Sequence, residues 1–113
     1  VLVNHNIVEC MDPEKPATLS PEVHRILREE LGFGGLIMTD DLVMKAIPQY
    51  TGGENPAPEA FLAGNDLLLC TDIEESYQAL LEAVESGKVS EERLEASVLR
   101  ILEWKYAMNL IQI

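Results

Sequence analysis

An α/β fold with parallel strands is what this sequence predicts, on three observations. Residues 1–8, 36–39 and 66–70 form short, largely apolar runs of the kind buried on both faces of a sheet. The segments between and after them repeat apolar residues at helical spacing. Each run is set off from the next by helical material, the order that crossover connections between parallel strands produce. Three strands do not distinguish a closed barrel from an open doubly wound sheet.

The first run begins Val1-Leu2-Val3, is interrupted by Asn4-His5-Asn6 and ends Ile7-Val8, so it reads as a buried strand whose far end turns polar. Asp12-Pro13 and Lys15-Pro16 then make residues 9–19 a loop, because proline disfavours helix at the residue before it. Ser20-Pro21 is a helix start, with a hydroxyl N-cap and proline at the first helical position. Val23, Ile26, Leu27 and Leu31 continue it at helical spacing, and Gly32 offers a left-handed cap. After the second strand, Gly, Pro and polar residues make 40–57, apart from Leu42 to Ile47, an irregular loop or a broken helix, and a short helix over 58–63 ends at Gly64. Following the third strand, Asp72 and Glu75 form a capping-box pattern before the stripe Ile73, Tyr77, Leu80, Leu81 and Val84. Ser90 caps a last helix expected to turn Leu94, Val98, Ile101, Leu102 and Met108 inward.

The 113 residues suffice for one compact domain with a modest core. An apolar fraction of 47% argues against a disordered tail. Eight basic against twenty acidic residues give a net charge of −12, which repels phosphate backbones and anionic lipid surfaces, so neither nucleic acid nor a membrane is an expected partner. Cys10 and Cys70 stand far apart without metal or redox spacing and read as buried free thiols. Neither a His/Cys/carboxylate cluster with ligand spacing nor a phosphate-cradling glycine loop is visible, since Gly32, Gly34 and Gly35 precede a strand rather than follow one. No metal and no cofactor are expected. Val1-Leu2-Val3-Asn4 lacks an initiating Met and a basic flank, and reads as a cut inside a longer protein.

Chemistry concentrates at Thr39-Asp40-Asp41, at the C-terminal end of the second apolar run. Parallel α/β folds place their sites there, where loops and helix N-termini converge on one pocket. The alternative is a pair of capping and solvent-facing carboxylates in a non-enzymatic, acidic α/β interaction module. His5 lies near the end of the first strand and is a candidate for the same pocket, or else a satisfied rim histidine. His24 falls within the helix after Ser20 and reads as a surface residue. Asp66, at the start of the third strand, reads as structural, and Arg28 and Arg100 as helix-surface or inter-element ion-pair residues.

The segment Leu31-Gly32-Phe33-Gly34-Gly35-Leu36-Ile37-Met38-Thr39-Asp40-Asp41-Leu42-Val43-Met44 resembles the signature of glycoside hydrolase family 3. Pro16-Ala17-Thr18-Leu19-Ser20 before it is similar to another family element, as is Leu27-Arg28. After it, Ala63-Gly64-Asn65-Asp66 leading into Leu68-Leu69, and Ser97-Val98 with Arg100-Ile101-Leu102, match in the same order and cover almost the whole chain.

The resemblance implies that residues 1–113 are one partial domain, the C-terminal portion of a (β/α)₈ TIM barrel holding about three βα units, since a complete barrel needs roughly 250 residues. It implies a carbohydrate substrate and assigns the catalytic nucleophile of a retaining glycosidase to Asp40, with His5 and Met44 as substrate-binding residues. Asp41 followed by Leu42 and Met44 points to the β-N-acetylglucosaminidase branch; a β-glucosidase or phosphorolytic member of the same family is the other alternative. The acid/base segment typical of the branch is absent here, so the chain by itself is expected to be inactive. Open strand edges and apolar helix flanks make self-association an expectation.

Overall fold

The computed structural model describes residues 1–43 and 47–112, so Met44 lies outside the described residues. Strand β1 (Leu2–Val3) pairs in parallel with β2 (Met38–Thr39), with Leu2 opposite Met38 and Val3 opposite Thr39. The ladder continues past β2, where the Asp40 amide donates to Val3 O at 2.9 Å.

The third apolar run lies parallel on the other side of β2, joined by a single bridge between Met38 and Leu67. Its pairing is irregular for a visible reason. The Thr39 amide donates to Leu67 O at 3.0 Å, but the Leu69 amide, which a regular ladder would direct to the Thr39 carbonyl, goes to Thr39 Oγ1 at 2.9 Å. A side chain thus replaces one rung, and the expected strand shortens to a bridge. The three chain segments still run side by side in one direction, with β2 in the middle.

Among the described residues, four α-helices flank them. Helix α1 (Pro21–Arg25) starts where predicted: Ser20 Oγ accepts from the Val23 amide at 3.1 Å, a cap worth about 1 kcal/mol. Its next turn, Ile26–Glu30, widens to π-helical bonding and stops before Gly32, whose φ of 66° is the left-handed geometry a glycine accepts without strain. Helix α2 (Ala57–Ala63) ends at Gly64. Helix α3 (Ile73–Glu85) begins after Asp72 without the predicted side-chain cap, because the Asp72 carboxylate instead accepts from Ser76 Oγ at 3.0 Å and from Asn55 Nδ2 at 3.4 Å. Helix α4 (Glu91–Ala107) does carry its predicted cap, Ser90 Oγ accepting from the Arg93 amide at 3.2 Å.

The core lies between the strand layer and the helices. Val3, Ala17, Val23 and Ile37 join β1, the segment entering β2 and α1. Leu19, Leu42, Ile47, Ala57 and Ala60 seat α2, and Phe61, Ala83 and Val89 tie α2 to α3 and the turn before α4. Full burial of a residue such as Ile37 is worth roughly 1.5–3 kcal/mol.

The outer helices depart from expectation. The α4 residues predicted to face inward include Val98 and Leu102, each 44% exposed, and Met108 just beyond the helix, 58% exposed. On this helix the fully buried side chain is Ser97. An apolar stripe states that a face suits burial; it does not state that the described residues supply a covering element. Cys10 is exposed and Cys70 half-buried, so the expectation of two buried thiols is not met.

Candidate active site

Because the strand segments are parallel, their C-terminal ends open on one side, and that side gathers Asp40, Asp41, His5 and Thr71. Asp40 follows β2 directly. Its amide is held by Val3 O, and its carboxylate accepts a single hydrogen bond, from the Asp41 amide to Oδ1 at 2.8 Å. Among the described residues Oδ2 has no hydrogen-bond donor. Asp40 is half-buried, so this oxygen is neither locked into a cap nor sealed in the core.

Asp41 is held far more firmly. Its Oδ1 accepts from the Val43 amide at 3.0 Å and the Thr71 amide at 3.3 Å, while its Oδ2 accepts from Thr71 Oγ1. The Thr71 hydroxyl, then the Val43 amide, hold the Asp41 carboxyl below the usual carboxylate range, because they stabilise the charged form. The alternative reading of the two carboxylates as local caps therefore describes Asp41, which closes an Asx turn at Val43, better than it describes Asp40.

His5 reaches this point from β1. Its Nε2 lies 2.7 Å from the Asp41 carbonyl oxygen and its Nδ1 lies 2.7 Å from Thr18 Oγ1. A carbonyl oxygen only accepts, so Nε2 carries the proton in that contact. Both ring nitrogens are therefore engaged by the protein. The observed hydrogen-bond partners of His5 are Asp41 and Thr18, and among the described residues it makes no hydrogen bond to Asp40. The segment between α1 and β1 thus joins the site through Thr18, whose hydroxyl also donates to the Asn4 carbonyl at 2.7 Å.

The opposite, N-terminal ends of β2 and the third segment hold a second polar cluster. Asp66 is buried and accepts from the Ile37 amide (3.1 Å), Arg28 (2.7 Å), Ser97 Oγ (2.6 Å) and Arg100 (3.1 Å). Burial on its own drives the Asp66 pKa up, yet hydrogen bonds from Ser97 and the Ile37 amide, with Arg100, outweigh it and leave the pKa lowered. The structural reading of Asp66, Arg28 and Arg100 stands.

His24 does not lie on the surface. It is 3% exposed, with Nδ1 2.7 Å from Ser20 O and Nε2 3.0 Å from Asn65 Oδ1. Asn65 in turn donates to Thr18 O at 2.8 Å and Ala60 O at 2.7 Å. The polar neighbours of His24 in sequence suggested exposure, but helix α1 turns that position toward Gly64, where only a residue without a Cβ fits: an added Cβ would lie 2.8 Å from His24 Cβ. Sequence reasoning also passed over Thr71 and Thr18. The available signal for Thr71 was its place just after the third apolar run, level with the aspartates that follow the second.

Among the described residues no group of three or more His, Cys, Asp or Glu side chains is arranged to hold a metal, and no helix is long and apolar enough to cross a membrane.

Residues 1–104 match the family model described as the glycosyl hydrolase family 3 N terminal domain. Beta-hexosaminidase A of Pseudoalteromonas piscicida is 35% identical over 102 residues, covering 80% of this chain and 17% of that protein. A beta-N-acetylglucosaminidase/beta-glucosidase of Cellulomonas fimi is 29% identical over 97 residues, 84% of this chain and 17% of that protein. The solved structure of a glycoside hydrolase family 3 beta-N-acetylglucosaminidase from Paenibacillus sp. str. FPU-7 superimposes with a TM-score of 0.79 at 40% identity, covering 93% of this chain and 22% of that one. The chain thus spans about a fifth of the length of these relatives.

Proposed function

The chain belongs to glycosyl hydrolase family 3, and from that premise we propose that it is the nucleophile-bearing portion of a retaining glycosidase barrel acting on terminal β-N-acetylglucosaminides. In this reading β1, β2 and the segment 66–69 are three adjacent strands of a (β/α)₈ barrel, and their C-terminal ends form part of its mouth. The observation that carries the proposal is Asp40 itself: a half-buried carboxylate at a strand end, with Oδ2 unengaged among the described residues while its neighbour Asp41 is fully committed.

The chemistry follows from that contrast. Asp40 Oδ2 attacks the anomeric carbon as the bond from that carbon to the leaving oxygen breaks, and an acid from outside these residues protonates the leaving oxygen. Water, deprotonated by the same group, then attacks the anomeric carbon, and the bond to Asp40 breaks to release the sugar with retained configuration. His5 and Met44 are the substrate-side residues of the proposal. The contacts of His5 suit it to hold the Asp41 main chain, and with it the adjoining Asp40, in register with the sugar.

The names of similar proteins support the substrate class: beta-hexosaminidase for the Pseudoalteromonas protein and beta-N-acetylglucosaminidase for the Paenibacillus structure. The Cellulomonas relative, whose name also includes beta-glucosidase, favours a second reading in which glucosides are accepted as well. Comparing hydrolysis of aryl β-N-acetylglucosaminide and aryl β-glucoside separates the two. For the chain by itself, the open edge of β1 and the exposed α4 face support self-association, which light scattering showing a folded monomer would rule out.

The decisive experiment uses the whole enzyme with a fluorinated aryl glycoside that accumulates the glycosyl-enzyme. Peptide mass mapping is expected to find the sugar on Asp40. An adduct on any other carboxylate overturns the assignment.

A further inference from the structure

All four arginines of the chain, Arg25, Arg28, Arg93 and Arg100, line one cleft of about 280 Å³ between α1, α2 and α4. It lies beside Asp66, at the strand ends opposite Asp40. In a chain of net charge −12 this gathers every arginine in one place, with Glu29 also lining the cleft beside Arg25. Arg25 is committed to Glu22, Glu29 and Glu30. The other three share one carboxylate: Arg28 and Arg100 pair with Asp66 directly, and Arg93 bonds Ser97, whose hydroxyl donates to Asp66.

Their donors are also in surplus. A guanidinium has five N–H groups. Arg100 uses one, toward Asp66. Arg28 donates to Phe33 O, Gly35 O and Asp66, and Arg93 to Ser97, Phe61 O and Asn65 O, which leaves the Nε of each without a hydrogen-bond partner among the described residues. Among the described residues no buried side-chain nitrogen or oxygen lacks a hydrogen bond, so these unused donors are open to solvent. Burial, and then the charge of Arg100, lower the pKa of Arg28; burial likewise lowers that of Arg93, with Arg100 and Arg28 adding to the effect. Crowded like charges with unused N–H donors favour an anion that accepts several hydrogen bonds at once.

We infer that this cleft binds a phosphate-type oxyanion, held by the unused N–H groups of Arg28, Arg93 and Arg100 on the solvent side of the Asp66 network. Arg28 and Arg100 already pair with Asp66, so the charge of Arg93 is not needed to neutralise it. Here a tetrahedral dianion would offset the excess of Arg28, Arg93 and Arg100 over Asp66 and engage the unused N–H groups without displacing Asp66. Free phosphate and the phosphate group of an ester present the same chemistry. The inference stands independently of the role assigned to Asp40.

The test uses the whole protein that carries this chain, in inorganic phosphate and in chloride at matched ionic strength. Phosphate is expected to raise the melting temperature by a few degrees and to broaden the ³¹P resonance. Arg100→Gln is expected to abolish both effects, and Lys105→Gln, on the same helix but outside the cleft, to keep them. If Arg100→Gln is less stable in chloride, its ³¹P linewidth at a temperature where it is folded reads binding directly. A hexose 6-phosphate arm distinguishes the sources: tighter binding than phosphate assigns the site to an ester, and equal or weaker binding to the free ion. Identical melting in phosphate and chloride, retention of the shift in Arg100→Gln, or its equal loss in Lys105→Gln overturns the inference.

Discussion

Asp40 and Asp66 are both carboxylates next to the central strand, at its two ends, and the protein treats them oppositely. Asp66 is buried and accepts four hydrogen bonds, two of them from arginines. Asp40 is half-buried and accepts one, from the adjacent amide. A carboxylate so thoroughly engaged is a poor nucleophile and a good organiser. One with an unengaged oxygen at a strand end contributes little to stability and is available to react. Under the proposed function, the difference separates a folding end of the molecule from a chemical end, the division that parallel α/β barrels make.

Substitution is the sharpest way to break that comparison. In the whole enzyme, Asp40→Asn is expected to lower kcat on the order of 10⁴-fold or more while leaving the urea midpoint unchanged, since it removes the proposed nucleophile and no structural bond. Asp66→Ala should do the reverse. It leaves Arg28 and Arg100 without their partner and should cost about 3–5 kcal/mol in urea unfolding, with kcat of the folded fraction retained. A large kcat loss in Asp66→Ala at unchanged stability would erase the distinction.

Acid sharpens the same contrast. The Asp66 pKa is lower in the folded protein than its unfolded value of about 3.9. Its contribution is therefore fully present above about pH 4 and lost as pH falls through the folded value. Urea unfolding between pH 7 and pH 3 should show that loss, and Asp66→Asn should flatten it.

Two smaller effects probe the supports at each end. Gly64→Ala places a Cβ 2.8 Å from His24 Cβ at a φ of 128°, and is expected to cost about 2 kcal/mol in thermal or urea unfolding. Thr71→Val removes the hydroxyl that holds Asp41 and should lower kcat about 10-fold, with KM and melting temperature little changed. A change in KM alone would mean that Thr71 touches the sugar rather than supporting Asp40 through its neighbour.

Local rules made much of this molecule legible. A capping hydroxyl next to its helix is a short-range event, and Ser20 and Ser90 cap as their sequence contexts predict. Parallel β1 and β2, the helix ending before Gly32 and the place of Asp40 at a strand end likewise follow from patterns spanning a few residues. The arrangement of the polar side chains did not follow. His24 meets Asn65 across 41 positions, His5 reaches the Asp41 carbonyl across 36, and Asp41 and Thr71 are 30 apart. Each partnership exists because helices and strands carry distant segments to the same place. The third strand illustrates the limit: its apolar run was evident, but Thr39 Oγ1 takes the Leu69 amide and reduces the pairing to a bridge.

What the sequence by itself determined was therefore the inventory: the order of elements, their caps, and a carboxylate pair placed where chemistry can occur. Tertiary structure decided which carboxylate is fully engaged and which keeps an oxygen without a donor among the described residues, that His24 is buried, and that the four arginines share one cleft. The reason is physical. Periodicity and capping depend on neighbours within about one helical turn, whereas burial, hydrogen-bond partners and charge balance depend on residues that meet only after the chain has folded.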